Sequence, residues 1–237
     1  MVIIRAFRPD DIDAYVAIQE TAWDETMAAA ESKLAERFRI FPDGLFVAEH
    51  GGKVVGCATF IRIPGYDELM KPSWEDLTDN GWCSTHVEDG TTLFGVDLSV
   101  AKGAPRLAAP LLFMSAMEFG MSLGVDAIIW GGRMPRYHKY AETMSPEEYL
   151  FTRTRSGRYL DPEVHLYSRI PGIEIRGVIP EYFKDFESLN NGVLLRWANP
   201  IARFPFLRPF SRQVTGAVYR LSRGSRRRRA GSALTKR

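Results

Sequence analysis

Residues 93–134 constrain the fold of this chain more than any other segment. An apolar run at 93–100 leads into a turn of small residues at 101–109. A long apolar segment follows at 110–124, and a second short apolar run at 125–130 ends in Gly131 and Gly132. This pattern predicts a strand, a helix and a second, parallel strand, which together form a βαβ unit. Such a unit offers an anion site at the start of its helix, because the first amides of a helix have no partner within it.

The remaining segments predict one mixed α/β domain at residues 1–198. A strand is expected at 2–7, a helix after Arg8 and Pro9, and a second helix at 25–38. Two glycines separate strands at 45–50 and 53–61, which indicates a hairpin. Residues 64–90 predict an irregular excursion with a short helix. Ser145 and Pro146 open a further helix, and strands at 173–179 and 192–197 close the domain.

Charge divides the chain into two parts. Its net charge is +2, yet residues 200–237 hold eleven Lys or Arg and no Asp or Glu, while residues 1–199 carry a net charge of −9. Residues 199–237 are therefore expected to form a basic, partly disordered extension. Charged residues near the N-terminus predict that there is no signal peptide. With only two cysteines and no metal-ligand spacing, the sequence predicts a cytoplasmic protein without a disulfide framework or a metal site.

The order of elements, with a helix pair after the first strand, resembles the GNAT superfamily of N-acetyltransferases. Three stretches carry a closer similarity, to the acyltransferase domains associated with nitrilase-type carbon–nitrogen hydrolases: WEDLTDNG at 74–81, GGRMPRYHKYA at 131–141 and RGVIPEY at 176–182. The resemblance implies a central mixed sheet, flanked by helices, whose fourth and fifth strands splay apart.

The resemblance also implies acetyl-CoA or another acyl-CoA as co-substrate. Pantetheine would extend the fourth strand along Leu98, Ser99 and Val100. The pyrophosphate would lie on the turn 102–110, KGAPRLAAP, where the family usually has Arg/Gln-x-x-Gly-x-Gly/Ala. Here both glycines are replaced and two prolines remove amide donors, so fewer backbone contacts remain. Its expected contact residues are Lys102, Arg106, Leu107, Ala108 and Ala109.

The family's reaction needs a base for the attacking amine and an acid for the departing thiolate. Asp97 is the acidic residue of the central strand, and apolar neighbours would raise its pKa, which suits a base. It could equally cap a loop or lie at a strand bulge. Tyr140, or Tyr137 on the same helical face, is the expected acid, although paired tyrosines are often packing residues. His138 could relay protons or simply face solvent.

The amine pocket is expected near the long loop and the end of the fifth strand. Aromatic side chains there can form the floor of such a pocket, although Trp130 could belong to the core. The expected substrate-binding residues are Trp74, Glu75, Trp130, Arg133 and His138.

Two functions remain open. The first is an N-acyltransferase acting on a small-molecule or protein amine, and the second is a noncatalytic GNAT-like binding or scaffold module whose pyrophosphate turn has degenerated. The sequence also leaves a homodimer open. The basic extension, with phenylalanines among its arginines at 200–229, predicts association with an anionic membrane at its inner face. Alternatives are nucleic acid, an acidic protein such as an acyl-carrier protein, or docking on the acidic domain itself.

Overall fold

The computed structural model describes residues 1–23 and 27–216, whose strands form one mixed sheet. The strands are β1 (Val2–Ala6), β2 (Leu45–His50), β3 (Lys53–Ile63), β4 (Thr92–Val100), β5 (Ala127–Gly132), β6 (Ile173–Ile179) and β7 (Gly192–Ala198). The α-helices are α1 (Ile12–Ala22), α2 (Glu31–Ile40), α3 (Trp74–Thr78), α4 (Ala108–Leu123), α5 (Pro146–Phe151) and α6 (Pro162–Tyr167). Short 3-10 turns lie at Pro9–Asp11, Pro42–Gly44, Tyr137–Lys139 and Pro205–Phe210.

The sheet has the order β1-β2-β3-β4-β5-β7-β6, with a parallel pair at its centre. β4 and β5 run parallel, and their pairing extends only from Thr92 with Ala127 to Gly95 with Trp130. β4 nevertheless continues to Val100 and stays paired with β3 over that length. The two central strands therefore splay, as expected, and the β5-facing edge of β4 beyond Gly95 has no strand partner among the described residues.

A β-bulge begins the splay. Thr59 of β3 pairs with Asp97 and Phe60 pairs with Gly95, so Val96 is an extra residue on β4. The indole of Trp74 donates a hydrogen bond of 2.8 Å to the carbonyl of Val96, which satisfies this buried backbone group.

The helices cover the two faces of the sheet. α1 and α2 pack on one face, which we call the α1 face, and α4 packs on the other, the α4 face. α4 confirms the predicted apolar helix and ends where Gly124 adopts a positive φ. The expected capping box is present at α5, where Ser145 and Glu148 bond each other's backbone. The second predicted helix was placed too early: residues 27–30 are not helical, and residues 24–26 lie outside the described part of the chain.

Residues 200–216 lie against α4 rather than apart from the sheet domain. Ile201 is buried in the main core, Leu207 and Val214 pack on it, and Arg208 lies over Gly124 at the end of α4. A cation at that place complements the negative end of the helix dipole. Among the described residues, none of the helices has the length and apolar character to cross a bilayer.

Candidate active site

A cavity of about 310 Å³ opens where β4 and β5 separate. Its outer part lies along the free edge of β4 and the first turn of α4. Its inner part continues on the α4 face beneath the end of β5, towards β7 and α6. The volume falls within the range of small-molecule sites. The outer walls include Leu98, Ser99, Val100 and Ala109, and the inner walls include Phe113, Trp130, Gly132, Glu163, Tyr167 and Leu195.

The expected pyrophosphate turn adjoins this cavity at Ala109, whereas Lys102, Arg106, Leu107 and Ala108 do not line it. α4 begins at Ala108, and its preceding residue, Leu107, makes no side-chain cap. In the described part of the chain, the amides of Arg106, Leu107 and Ala109 have no hydrogen-bond acceptor. The side chains of Lys102 and Arg106 are exposed beside them. The turn therefore presents free amides and two cations to an anion despite lacking the family's glycines.

Asp97 lies at the cavity but is fully engaged as a counter-ion. One carboxylate oxygen accepts a bond of 2.7 Å from Arg37 Nη1, and the other accepts one of 2.8 Å from the Tyr15 hydroxyl. The Arg37 Nε also donates to the carbonyl of Gly81 at 2.6 Å. Burial acts to lower the pKa of Arg37, but its interactions with neighbouring groups, first among them Asp97, together outweigh burial and the net shift is upward. The environment of Asp97 is ionic and adjoins a bulge, rather than the apolar one expected of a base.

The structure does not bring the expected acid to the cavity. The chain after β5 forms a single 3-10 turn at Tyr137–Lys139 instead of the expected helix. The rings of Tyr137 and Tyr140 pack on the ring of Tyr149, with centroids 5.4 and 5.2 Å from it. The Tyr137 hydroxyl donates to the carbonyl of Met144 at 3.3 Å. His138 is half-buried, with Nδ1 3.0 Å from the carbonyl oxygen of Glu187. None of the three lines the described cavity.

Two residues of α6, Glu163 and Tyr167, line the inner part of the cavity instead. The Tyr167 hydroxyl donates to Glu163 Oε2 at 2.8 Å and accepts the backbone N–H of Arg133 at 3.0 Å. Burial and the nearby Glu163 carboxylate raise the pKa of Tyr167 well above its ordinary value. Burial also raises the pKa of Glu163, although the bond from Tyr167 and the charge of Arg133 oppose that shift. The pair can therefore hold a proton inside the cavity at a pH where an exposed carboxyl would be ionised.

The sequence contained one signal for this pair. Asp161 accepts the amides of Glu163 and Val164 as an N-cap, and Pro162 follows at the first helical position. Glu163 and Tyr167 are four residues apart and share one helix face. What the sequence did not reveal is that this face looks into the cavity.

The α1 face of the splay is lined by aromatic side chains. A smaller cavity of about 20 Å³ lies there between Trp23, Trp74, Tyr182 and Asp97, with room for a single water. Arg133 holds Asp185 through two bonds of 2.9 Å, and its guanidinium lies 5.8 Å from the centre of the Trp23 ring.

The residues expected to bind the amine thus lie at different places. Arg133 and Trp130 line the larger cavity, and Trp74 lines the smaller one while supporting the bulge. Glu75 and His138 line neither. Trp23, which sequence reasoning did not single out, lines both cavities.

Comparison with known proteins gives two sequence relatives and many solved structures with a similar fold. No family model matches the chain. The chain is 31% identical over 201 residues to an uncharacterized N-acetyltransferase, YkwB, of Bacillus subtilis, covering 83% of this chain and 88% of the relative. It is 30% identical over 202 residues to a probable hydrolase of the same organism, YhcX, covering 84% of this chain but spanning only 39% of that longer relative. The GNAT-like decarboxylase GphF, solved in complex with isobutyryl-CoA, superposes with a TM-score of 0.68 at 25% identity, covering 83% of this chain and 99% of the other.

Proposed function

The chain belongs to the GNAT superfamily of N-acetyltransferases, and from that premise we propose which of its residues hold acyl-CoA and which move protons. It is a CoA-dependent acyltransferase, with acyl-CoA as co-substrate and an amine as acceptor. The observation that carries the assignment is the splay of β4 from β5 over a cavity of about 310 Å³. Pantetheine then lies along Leu98, Ser99 and Val100, where unpaired backbone groups can bond its amides.

The pyrophosphate lies at the start of α4 in this proposal. The amides of Arg106, Leu107 and Ala109 have no acceptor among the described residues, and the helix dipole favours an anion there. Lys102 and Arg106 supply the charge-assisted bonds that offset the amides lost to proline.

We assign the acid of the reaction to Tyr167, supported by Glu163. The amine nitrogen attacks the thioester carbonyl carbon from the α1 face, the C–N bond forms and the C–S bond breaks. Tyr167 gives its proton to the departing thiolate and takes one from protonated Glu163, so no buried phenolate persists. The water-sized cavity beside Asp97 is suited to a water that accepts the proton of the amine. Asp97 acts in this scheme by holding Arg37.

Thermal unfolding with CoA and acetyl-CoA tests the binding site. A ligand at 100 times its dissociation constant should stabilise the fold by about 2.7 kcal/mol. Replacing both cations of the turn, Lys102→Ala with Arg106→Ala, should weaken CoA binding tenfold or more, which corresponds to a loss of about 1.4 kcal/mol or more of binding free energy. Lys53→Ala, at an exposed residue of the β2–β3 hairpin, is the matched control. No stabilisation at millimolar CoA would instead favour a noncatalytic GNAT-like module.

We further propose that the domain is of the kind associated with nitrilase-type carbon–nitrogen hydrolases. The support is that its similarity to the probable hydrolase YhcX spans 39% of that protein, which leaves most of the relative outside the shared segment. If this is right, the amide that the chain forms should be a substrate of a carbon–nitrogen hydrolase. Release of the acyl group from purified product by such an enzyme would support the association, and a product resistant to it would count against it.

The C-terminal segment is proposed to bind an anionic membrane surface. Phe204, Phe206 and Phe210 are 48%, 71% and 53% exposed on one short stretch that also carries Arg203. Basic residues near an anionic surface contribute about 1 kcal/mol each, and inserted aromatic rings add apolar burial. The arginines of 226–229 would add to this attraction, although they lie outside the described residues.

Vesicle sedimentation separates a membrane-binding segment from a simple polycation. Binding should be seen with anionic but not zwitterionic vesicles, weaken with salt, and fall in the double variant Phe206→Ser with Phe210→Ser. Phe151→Ser with Phe186→Ser, at exposed phenylalanines elsewhere on the surface, is the control. If the variant Phe206→Ser with Phe210→Ser binds as well as the parent, the binding is nonspecific charge attraction, and nucleic acid would bind the segment in the same way.

A further inference from the structure

The inner part of the cavity extends sideways from the splay, beneath the end of β5 and towards β7 and α6. Trp130 of β5 pairs with Leu195 of β7, and both residues line the cavity on the α4 face. Phe113 of α4 and Leu166 of α6 close the same space. The part next to the thioester position is thus walled by two leucines and two aromatic rings. An acetyl group brings a single methyl to these four walls.

Trp130 offers a buried donor in this space. The residue is 4% exposed, and its indole Nε1 has no hydrogen-bond partner among the described residues. Buried indole N–H groups are normally paired, so an unpaired one at a cavity indicates a ligand acceptor. The nitrogen lies over Gly95, the last β4 residue paired with β5, where a Cβ would come within 2.5 Å of it. Phe113 holds the indole edge-on at a ring distance of 5.5 Å.

We propose that the inner cavity is an acyl pocket that selects a short branched acyl group over acetyl, and that Trp130 donates a hydrogen bond to the thioester carbonyl oxygen. This inference rests on the proposed function, because it takes acyl-CoA to lie in the cavity. Leu166 and Leu195 contact the branches of the acyl chain on the α4 face, while the amine approaches from the α1 face. The Trp130 bond strengthens as negative charge develops on the carbonyl oxygen during attack.

The acyl-CoA series gives the first test. Affinities of the full chain for CoA, acetyl-CoA, propionyl-CoA and isobutyryl-CoA are measured by titration calorimetry. Each buried methylene should strengthen binding about fourfold, so isobutyryl-CoA should bind on the order of tenfold more tightly than acetyl-CoA. Equal affinity for the two, or tighter binding of acetyl-CoA, would overturn the pocket.

Two variants test the named walls. Leu166→Trp fills the pocket from a residue that is 46% exposed, and it should remove the preference for isobutyryl-CoA while leaving affinity for free CoA unchanged. Leu69→Trp, at a residue 94% exposed and away from the cavity, is the control. Trp130→Phe keeps a ring but deletes the donor. The ratio of the affinity for acyl-CoA to the affinity for CoA should therefore be about five- to tenfold lower in this variant than in the parent.

The outcomes are distinguishable. If Leu166→Trp or Trp130→Phe weakens CoA and acyl-CoA equally, those residues only support the fold and the acyl pocket is refuted, while the proposed function stands. If the parent chain binds neither CoA nor any acyl-CoA, the proposed function itself fails and this inference fails with it.

Discussion

Replacing Asp97 tests whether its carboxylate is a structural counter-ion or the base of the reaction. Arg37 and Asp97 are 2% and 9% exposed, and their bond of 2.7 Å is the charge pair at the centre of the α1 face. Asp97→Asn leaves the guanidinium of Arg37 buried without a counter-charge, which costs about 3–5 kcal/mol. A domain of this size loses about 2–4 °C of Tm per kcal/mol, so Tm should fall by roughly 6–20 °C.

The double variant shows whether the cost comes from the pair. Arg37→Met with Asp97→Asn removes both charges, so no buried charge is left unpaired. Breaking one buried pair costs about 3–5 kcal/mol, so the double variant should lose at least about 2 kcal/mol less free energy of unfolding than the two single variants lose together. Arg39→Met is the control, because Arg39 pairs with Glu36 at the surface and such pairs contribute about 1 kcal/mol or less. Tm is measured by calorimetry and kcat on the same preparations. An Asp97→Asn protein with unchanged Tm and a kcat reduced about a hundredfold would refute the counter-ion role, since that is the scale of losing a general base.

Three further substitutions follow from the site. Tyr167→Phe should lower kcat about a hundredfold or more with little change in acyl-CoA affinity, whereas Tyr140→Phe should leave both unchanged; the reverse result would return the acid to Tyr140. The pKa of Glu163 is raised in the folded state, so the parent protein loses stability as the pH rises through that pKa. Glu163→Gln should match the Tm of the parent in acid and exceed it above that pKa. Curves of Tm against pH that run parallel for the two proteins would contradict the burial of this carboxyl. Gly131→Ala places a Cβ about 2 Å from the ring of a buried tyrosine and should cost about 1–3 kcal/mol in chemical denaturation, while Gly65→Ala, in open space, should stay near zero.

The order of elements and the central βαβ unit were predictable from the sequence, because both rest on local patterns. α4 is apolar over a length that only a buried helix satisfies, and the glycines before Lys53 set a hairpin whatever surrounds it. The resemblance added the splay of β4 from β5, which the pairing confirms. The second helix was misplaced at its start because helix ends depend on caps and packing more than on composition.

The chemistry of the site was decided by tertiary structure. Asp97 meets Arg37 across 60 residues of chain, and Tyr167 meets the backbone of Arg133 across 34 residues. No periodic pattern fixes such pairs, because each depends on how a helix rotates and seats against the sheet. The sequence determined that a sheet, a helix and the turn proposed to bind an anion would come together. Packing determined that Asp97 is held by a buried cation, and that the pair proposed to hold a proton comes from α6. Desolvation and charge partners exist only once distant segments are in contact.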